Sequence, residues 1–109
     1  MLGIEKFIIS DFKLGWIIGN FKPSLLKSKE IEVAVKFFQA GDVEPSHKQL
    51  IATEITIVVT GIIRLGADSY EPGDIIKIDP GVFAEFESIT ESALVCIKFP
   101  SLPNDKIFE

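Results

Sequence analysis

The segment from Gly41 to Gly61 constrains this chain more than any other. It reads Gly41-Asp-Val-Glu-Pro-Ser-His47-Lys-Gln49-Leu-Ile-Ala-Thr-Glu54-Ile-Thr-Ile-Val-Val-Thr-Gly61, with a glycine at each end and a β-branched run at its close. The only histidine of the chain stands shortly before Gln49 and Glu54. Residues two apart in a strand share a face, so His47 and Gln49 point the same way. Glu54 opens the next strand with Thr56 and Val58 on its face, and Ile55, Ile57 and Val59 take the other. This pattern predicts a metal-binding or acid/base site at the mouth of a β-barrel. A carboxylate in an apolar interior is costly unless paired. Glu54 therefore needs His47, a metal, water or a ligand beside it.

The rest of the chain repeats the strand signal. Glu30–Phe38 alternates and sets Ile31, Val33, Val35 and Phe37 on one face. Glu54–Thr60 and Ile62–Leu65, joined by Gly61, read as neighbouring strands. Asp74–Ile78 lies between a Pro72-Gly73 turn and a Pro80-Gly81 turn, and Ser92–Phe99 is the last strong strand. Helical pattern is limited to one turn at Pro23–Lys27. The tail Asn104–Glu109 reads as a surface extension, and Lys36 and Lys48 as solvated side chains. Many short strands with Gly/Pro punctuation in 109 residues predict a single all-β domain, a sandwich or barrel.

Composition narrows the partners. The formal charge is -5 and Arg64 is the only arginine among 11 basic residues, which argues against a nucleic-acid partner. A phosphorylated ligand would rely on lysines or backbone amides. The longest apolar run, Ile55–Leu65, is interrupted by Thr56, Thr60, Gly61 and Arg64 and falls short of the roughly 18 residues of a membrane span. The N-terminus lacks the basic start of a signal peptide. A single cysteine, Cys96, fits a reducing compartment and a cytoplasmic protein. It alternates within an apolar strand as a small buried hydrophobe.

The Gly41–Gly61 segment resembles the first motif of the cupin superfamily: glycine, five residues, His-X-His, a short gap, glutamate, six residues, glycine. Gly41, His47, Glu54 and Gly61 fall in register, and Gln49 stands at the second histidine. Gly73–Ala84 is similar to the second motif at Gly73 and Gly81. There Asp79 replaces the usual proline, and Ala84 the last metal-binding histidine. The resemblance covers roughly residues 31 to 100. Around it, Gly15–Ser24 and Pro100–Lys106 are similar to a small group of single-domain cupins.

The resemblance implies a cupin-type double-stranded β-helix, a jelly-roll barrel over 31–109 with an N-terminal strand or arm segment over 1–30. It implies a pocket at His47, Gln49, Glu54, Thr56, Ala84 and Phe86. Carried over residue by residue, the metal ligands would be His47, Glu54 and Gln49, a degenerate set for a weakly bound Zn, Ni, Mn or Fe, or for no metal. The expected function is binding of a small polar molecule, sugar or carboxylate-like. A sugar isomerase or epimerase with His47 as base and Glu54 paired to it is the alternative enzyme, and a non-catalytic regulatory module with a vestigial site is the other alternative. The apolar outer face of Ile55, Ile57 and Val59 implies a homodimer.

Overall fold

The computed structural model describes residues 3–109. Its strands are β1 Trp16–Gly19, β2 Leu26–Lys27, β3 Glu32–Phe38, β4 Val43–Gln49, β5 Thr53–Thr60, β6 Ile63–Leu65, β7 Asp68–Tyr70, β8 Ile75–Ile78, β9 Ala84–Ser88, β10 Ser92–Phe99 and β11 Lys106–Phe108. They form a six-stranded sheet in the order β2-β1-β3-β10-β5-β8 and a five-stranded sheet in the order β11-β4-β9-β6-β7. Every pairing is antiparallel except β1 with β2. The expected all-β double-stranded β-helix is the fold observed.

The β-branched runs form the centre of the larger sheet, β5 and β10, in register from Phe99 opposite Thr53 to Leu94 opposite Val58. Alternation buries Ser92, Leu94, Cys96 and Lys98 on the inner face of β10. Thr56 and Val58 do the same on β5. The core is filled by Ala34, Val58, Ile63, Ile76, Phe86, Leu94 and Cys96, with the Phe38 ring tilted against Phe86 at 4.6 Å between ring centres.

The turns follow the glycines. Gly61 has φ +80°, and a Cβ there would strike the carbonyl oxygen of Glu91, so the corner requires glycine. This corner overturns the expectation that Glu54–Thr60 and Ile62–Leu65 are neighbours. β5 pairs with β10 and β8, whereas β6 crosses to the other sheet and pairs with β7 and β9. The Pro72-Gly73 turn is held by Gly73 N–H on Val58 O at 2.9 Å. The Pro80-Gly81 turn is held by Gly81 N–H on Gln49 O at 2.8 Å, which brings the two motif segments together at the barrel mouth.

Three further readings change. Pro23–Lys27 makes no helical turn; Leu26–Lys27 pairs with β1 as a strand, and the short 3-10 turns lie at Ile9–Asp11 and Lys13–Gly15. The tail, read as a surface extension, is largely exposed from Ile107 on but carries a strand, Lys106–Phe108. The Asp105 carboxylate accepts N–H bonds from Ile51 and Ala52, both at 2.9 Å, which fixes β11 against β4. In β3 the apolar set Val33, Val35 and Phe37 faces outward, and Ala34, Lys36 and Phe38 face the barrel. Part of that outer face lies under the N-terminal segment, where the Gly15 backbone passes against Val35. Of the arm expected over residues 1–30, residues 1 and 2 lie outside the described residues; β1 and β2 extend the larger sheet beyond β3.

Candidate functional site

One cavity occupies the open end of the barrel. Its wall includes His47, Gln49, Glu54, Thr56, Ala84 and Phe86, brought together from β4, β5 and β9. A register shift in the β4–β9 pairing lies between Glu44 and His47, so Glu44, His47 and Gln49 all reach the cavity wall. Ala84 lies opposite His47 and leaves that side without a polar group.

His47 is set by its backbone surroundings. Its Nδ1 lies 3.1 Å from Pro45 O, so the N–H sits on Nδ1 and Nε2 keeps its lone pair. Desolvation by burial is the main cause that lowers its pKa from the ordinary value, the Pro45 bond opposes it, and nearby Lys106 lowers it further. The Glu54 carboxylate contributes only a weaker raising effect. The expected His47–Glu54 pair with a raised histidine pKa is therefore not what forms. Among the described residues no hydrogen bond joins these side chains; Glu54 Oε2 instead accepts from Thr56 Oγ1 at 3.3 Å. The tautomer is chosen by a carbonyl two residues away, too local a feature for motif spacing to reveal.

Gln49 is 6 % exposed, and its Nε2 donor has no acceptor. A buried polar atom without a partner is uncommon in native proteins and costs about 1–3 kcal/mol. Opposite it in the β11–β4 register stands Lys106.

The lysines are cavity residues that motif comparison did not point to. Lys36, Lys98 and Lys106 all line the cavity. Lys98 is 8 % exposed, and among the described residues no carboxylate lies within ion-pair distance of its Nζ. Its ammonium rests 4.9 Å from the centre of the Trp16 ring, with Lys36 Nζ 5.2 Å from the same ring. Lys36, read from the sequence as solvated, is instead held inside by Glu44 at 3.8 Å, its side chain 14 % exposed. The signal for Lys36 and Lys98 was present in strand parity: Lys36 shares a face with Ala34 and Phe38, and Lys98 with Leu94 and Cys96. Lys48 sits at the rim over Phe83, with Nζ 4.8 Å from the ring centre. Arg64 is outside, paired with Glu85 and Glu87 at 3.3 and 3.2 Å.

Burial pushes the Cys96 thiol up to about 11, so it stays protonated and unreactive at neutral pH. The donor set does not match a cupin metal centre. Among the described residues no three His, Cys, Asp or Glu side chains converge as a metal site. Ala84 supplies no ligand, Gln49 supplies an amide unpartnered among the described residues, and four lysines line the cavity. Cations on that wall repel a divalent ion.

No family model matches the chain, and no curated relative matches it. Its fold is nonetheless found among solved structures. A double-stranded β-helix protein of Klebsiella pneumoniae superposes with a TM-score of 0.69 at 17% identity, over 74% of this chain and 71% of that one. An RmlC-like cupin from Shewanella frigidimarina gives 0.63 at 18% identity, over 71% of each chain. The DMSP lyase DddQ from Ruegeria pomeroyi gives 0.68 at 16% identity, over 85% of this chain and 49% of that one. The chain thus carries the cupin fold, the double-stranded β-helix that its two glycine-bounded motifs imply. One barrel serves many chemistries, so function has to come from the side chains inside it.

Proposed function

We propose that this barrel binds a small polar molecule, of the sugar or carboxylate class, in the pocket formed by His47, Gln49 and Glu54. The observation that carries this reading is the Gln49 amide, buried inside the cavity with a free N–H donor. Such a donor costs stability unless a ligand or water supplies the acceptor. No firmly held divalent metal takes part, because two of the four cupin ligand positions are Gln49 and Ala84. Calorimetric titration with a panel of sugars and carboxylates tests the reading, with His47→Ala as the control. Binding unchanged by that substitution removes the pocket assignment. Elemental analysis of tag-free protein should find well under one equivalent of Zn, Ni, Mn or Fe; a full equivalent overturns the weak-metal reading.

A second reading is favoured by the free Nε2 of His47. A neutral imidazole with its Nδ1 proton fixed on a carbonyl is suited to act as a general base. It would take the proton alpha to a carbonyl in a sugar isomerase or epimerase. Solvent deuterium entering a sugar substrate, and lost in His47→Ala, supports this activity.

The protein is further proposed to be a homodimer of the reducing cytoplasm. The outer face of the larger sheet presents Phe37 and Ile75, each 67 % exposed, with Val59 and Phe99 also exposed and Ile55 and Ile57 half-buried between them. Exposed apolar area of this kind is what a second copy covers. Light scattering coupled to size exclusion should give the dimer mass, and a monomer at micromolar concentration refutes it.

A further inference from the structure

We propose that the occupant of this cavity is a small hydroxy acid anion, its carboxylate held by Lys98, Lys106 and Gln49 Nε2 and its hydroxyl donating to His47 Nε2. This rests on the barrel-pocket reading above and names the ligand class for that site.

The charges argue for the carboxylate. Four lysines, Lys36, Lys48, Lys98 and Lys106, and two carboxylates, Glu44 and Glu54, line the cavity; Lys48 lies over the Phe83 ring, and burial holds His47 toward its neutral form. Lys36 is committed to Glu44 at 3.8 Å. Lys98 and Lys106 then face a single remaining carboxylate, Glu54, which leaves an excess positive charge. Lys98 is 8 % exposed without an ion pair, and a buried cation in that state calls for an anion. The Lys106 pKa is lowered by burial first and then by the nearby Lys98 ammonium, a repulsion that a carboxylate beside them would relieve. The unpartnered Gln49 donor lies across the strand pair from Lys106, so both can bind one anion.

The acceptors argue for the hydroxyl. Nδ1 of His47 is used on Pro45 O, which leaves Nε2 to accept, and Glu54 has only the Thr56 hydroxyl as a hydrogen-bond partner among the described residues. The single O–H donor of a hydroxy acid suits His47 Nε2, whereas an ester or a simple fatty acid leaves it unmatched. The free volume inside favours a small occupant. The free space is about 50 Å³, on the order of three to five water positions at ~10–15 Å³ each. That is room for a lactate-sized acid.

Calorimetric titration of the intact protein with lactate, lactamide, acetate, inorganic phosphate and glucose tests this. Lactate should bind at least about tenfold more tightly than lactamide, as expected for a charge-assisted hydrogen bond, and more tightly than acetate. Lys98→Met and Gln49→Leu, each shown to be folded by circular dichroism, should lose that preference for the acid. Equal binding of lactate and lactamide by the unsubstituted protein overturns the carboxylate assignment without reference to any variant. Acetate or phosphate binding as tightly as lactate overturns the hydroxy acid class in favour of a general anion site. Glucose binding that disappears in His47→Ala, with no response to lactate, overturns this inference and leaves the pocket reading intact. Silence toward all five probes overturns the hydroxy acid, while the wider sugar and carboxylate panel decides the pocket reading separately.

Discussion

Lys106 and Gln49 face each other across the β11–β4 pair, and both side chains line the same barrel cavity. One comes from the first cupin-like motif and the other from the C-terminal tail. Their meeting depends on Asp105, whose carboxylate binds the Ile51 and Ala52 amides. A donor without an acceptor thus sits beside an amine whose pKa is lowered, mainly by burial and then by Lys98. This pairing separates the cavity from a histidine-lined metal centre.

Replacing Gln49 with leucine should stabilise the ligand-free protein. It removes a buried unpartnered amide at similar volume, a gain of about 1–3 kcal/mol. Urea unfolding measures it, and a lower midpoint for Gln49→Leu would show that the amide is satisfied in solution.

Asp105→Ala should cost about 1–3 kcal/mol, because it strips two backbone amides of their acceptor, one of them buried. Amide hydrogen exchange should quicken in β11 and at Ile51 and Ala52. Unchanged exchange there would mean that β11 is held by its strand pairing alone.

Gly61→Ala should be among the most damaging single substitutions in the chain. The backbone is at φ +80° and the new methyl meets Glu91's carbonyl oxygen. Left-handed strain alone costs on the order of 1–3 kcal/mol. A melting temperature equal to that of the unsubstituted protein would show that the corner can relax.

Acid should weaken the fold through His47. Its folded pKa lies below the ordinary 6.5, so between those two values the unfolded chain binds more protons. The contribution of His47 is fully present above about 6.5 and is lost as pH falls toward the folded pKa. His47→Gln should flatten this part of the stability–pH curve, and an identical slope in both proteins would contradict the lowered pKa of this half-buried histidine.

Anion binding should weaken at alkaline pH. The Lys106 pKa lies below the usual 10.5 through burial, Lys98 and Lys36, against the raising effects of Glu44 and Glu54. Raising pH toward that value discharges Lys106 while His47 is already neutral, so lactate affinity should fall. Lys106→Arg, which keeps its charge, should retain affinity to higher pH.

The sequence by itself determined the all-β fold and the placing of His47, Gln49, Glu54, Thr56, Ala84 and Phe86 around one cavity. The fold follows from local rules, period-two alternation and glycine at turns, whereas the set of pocket residues came from the resemblance to the two cupin motifs. Parity within β3 and β10 also carried Lys36 and Lys98 inward, a signal masked because Val33, Val35 and Phe37 look like a core face. Tertiary structure alone decided the rest. β6 crosses to the other sheet because Gly61 turns the chain against Glu91. Lys106 enters the cavity because β11 pairs with a strand more than fifty residues earlier, held by Asp105. Such long-range pairing leaves no periodic trace in a short polar tail. The charge inside the barrel is set by side chains that meet only when both sheets close.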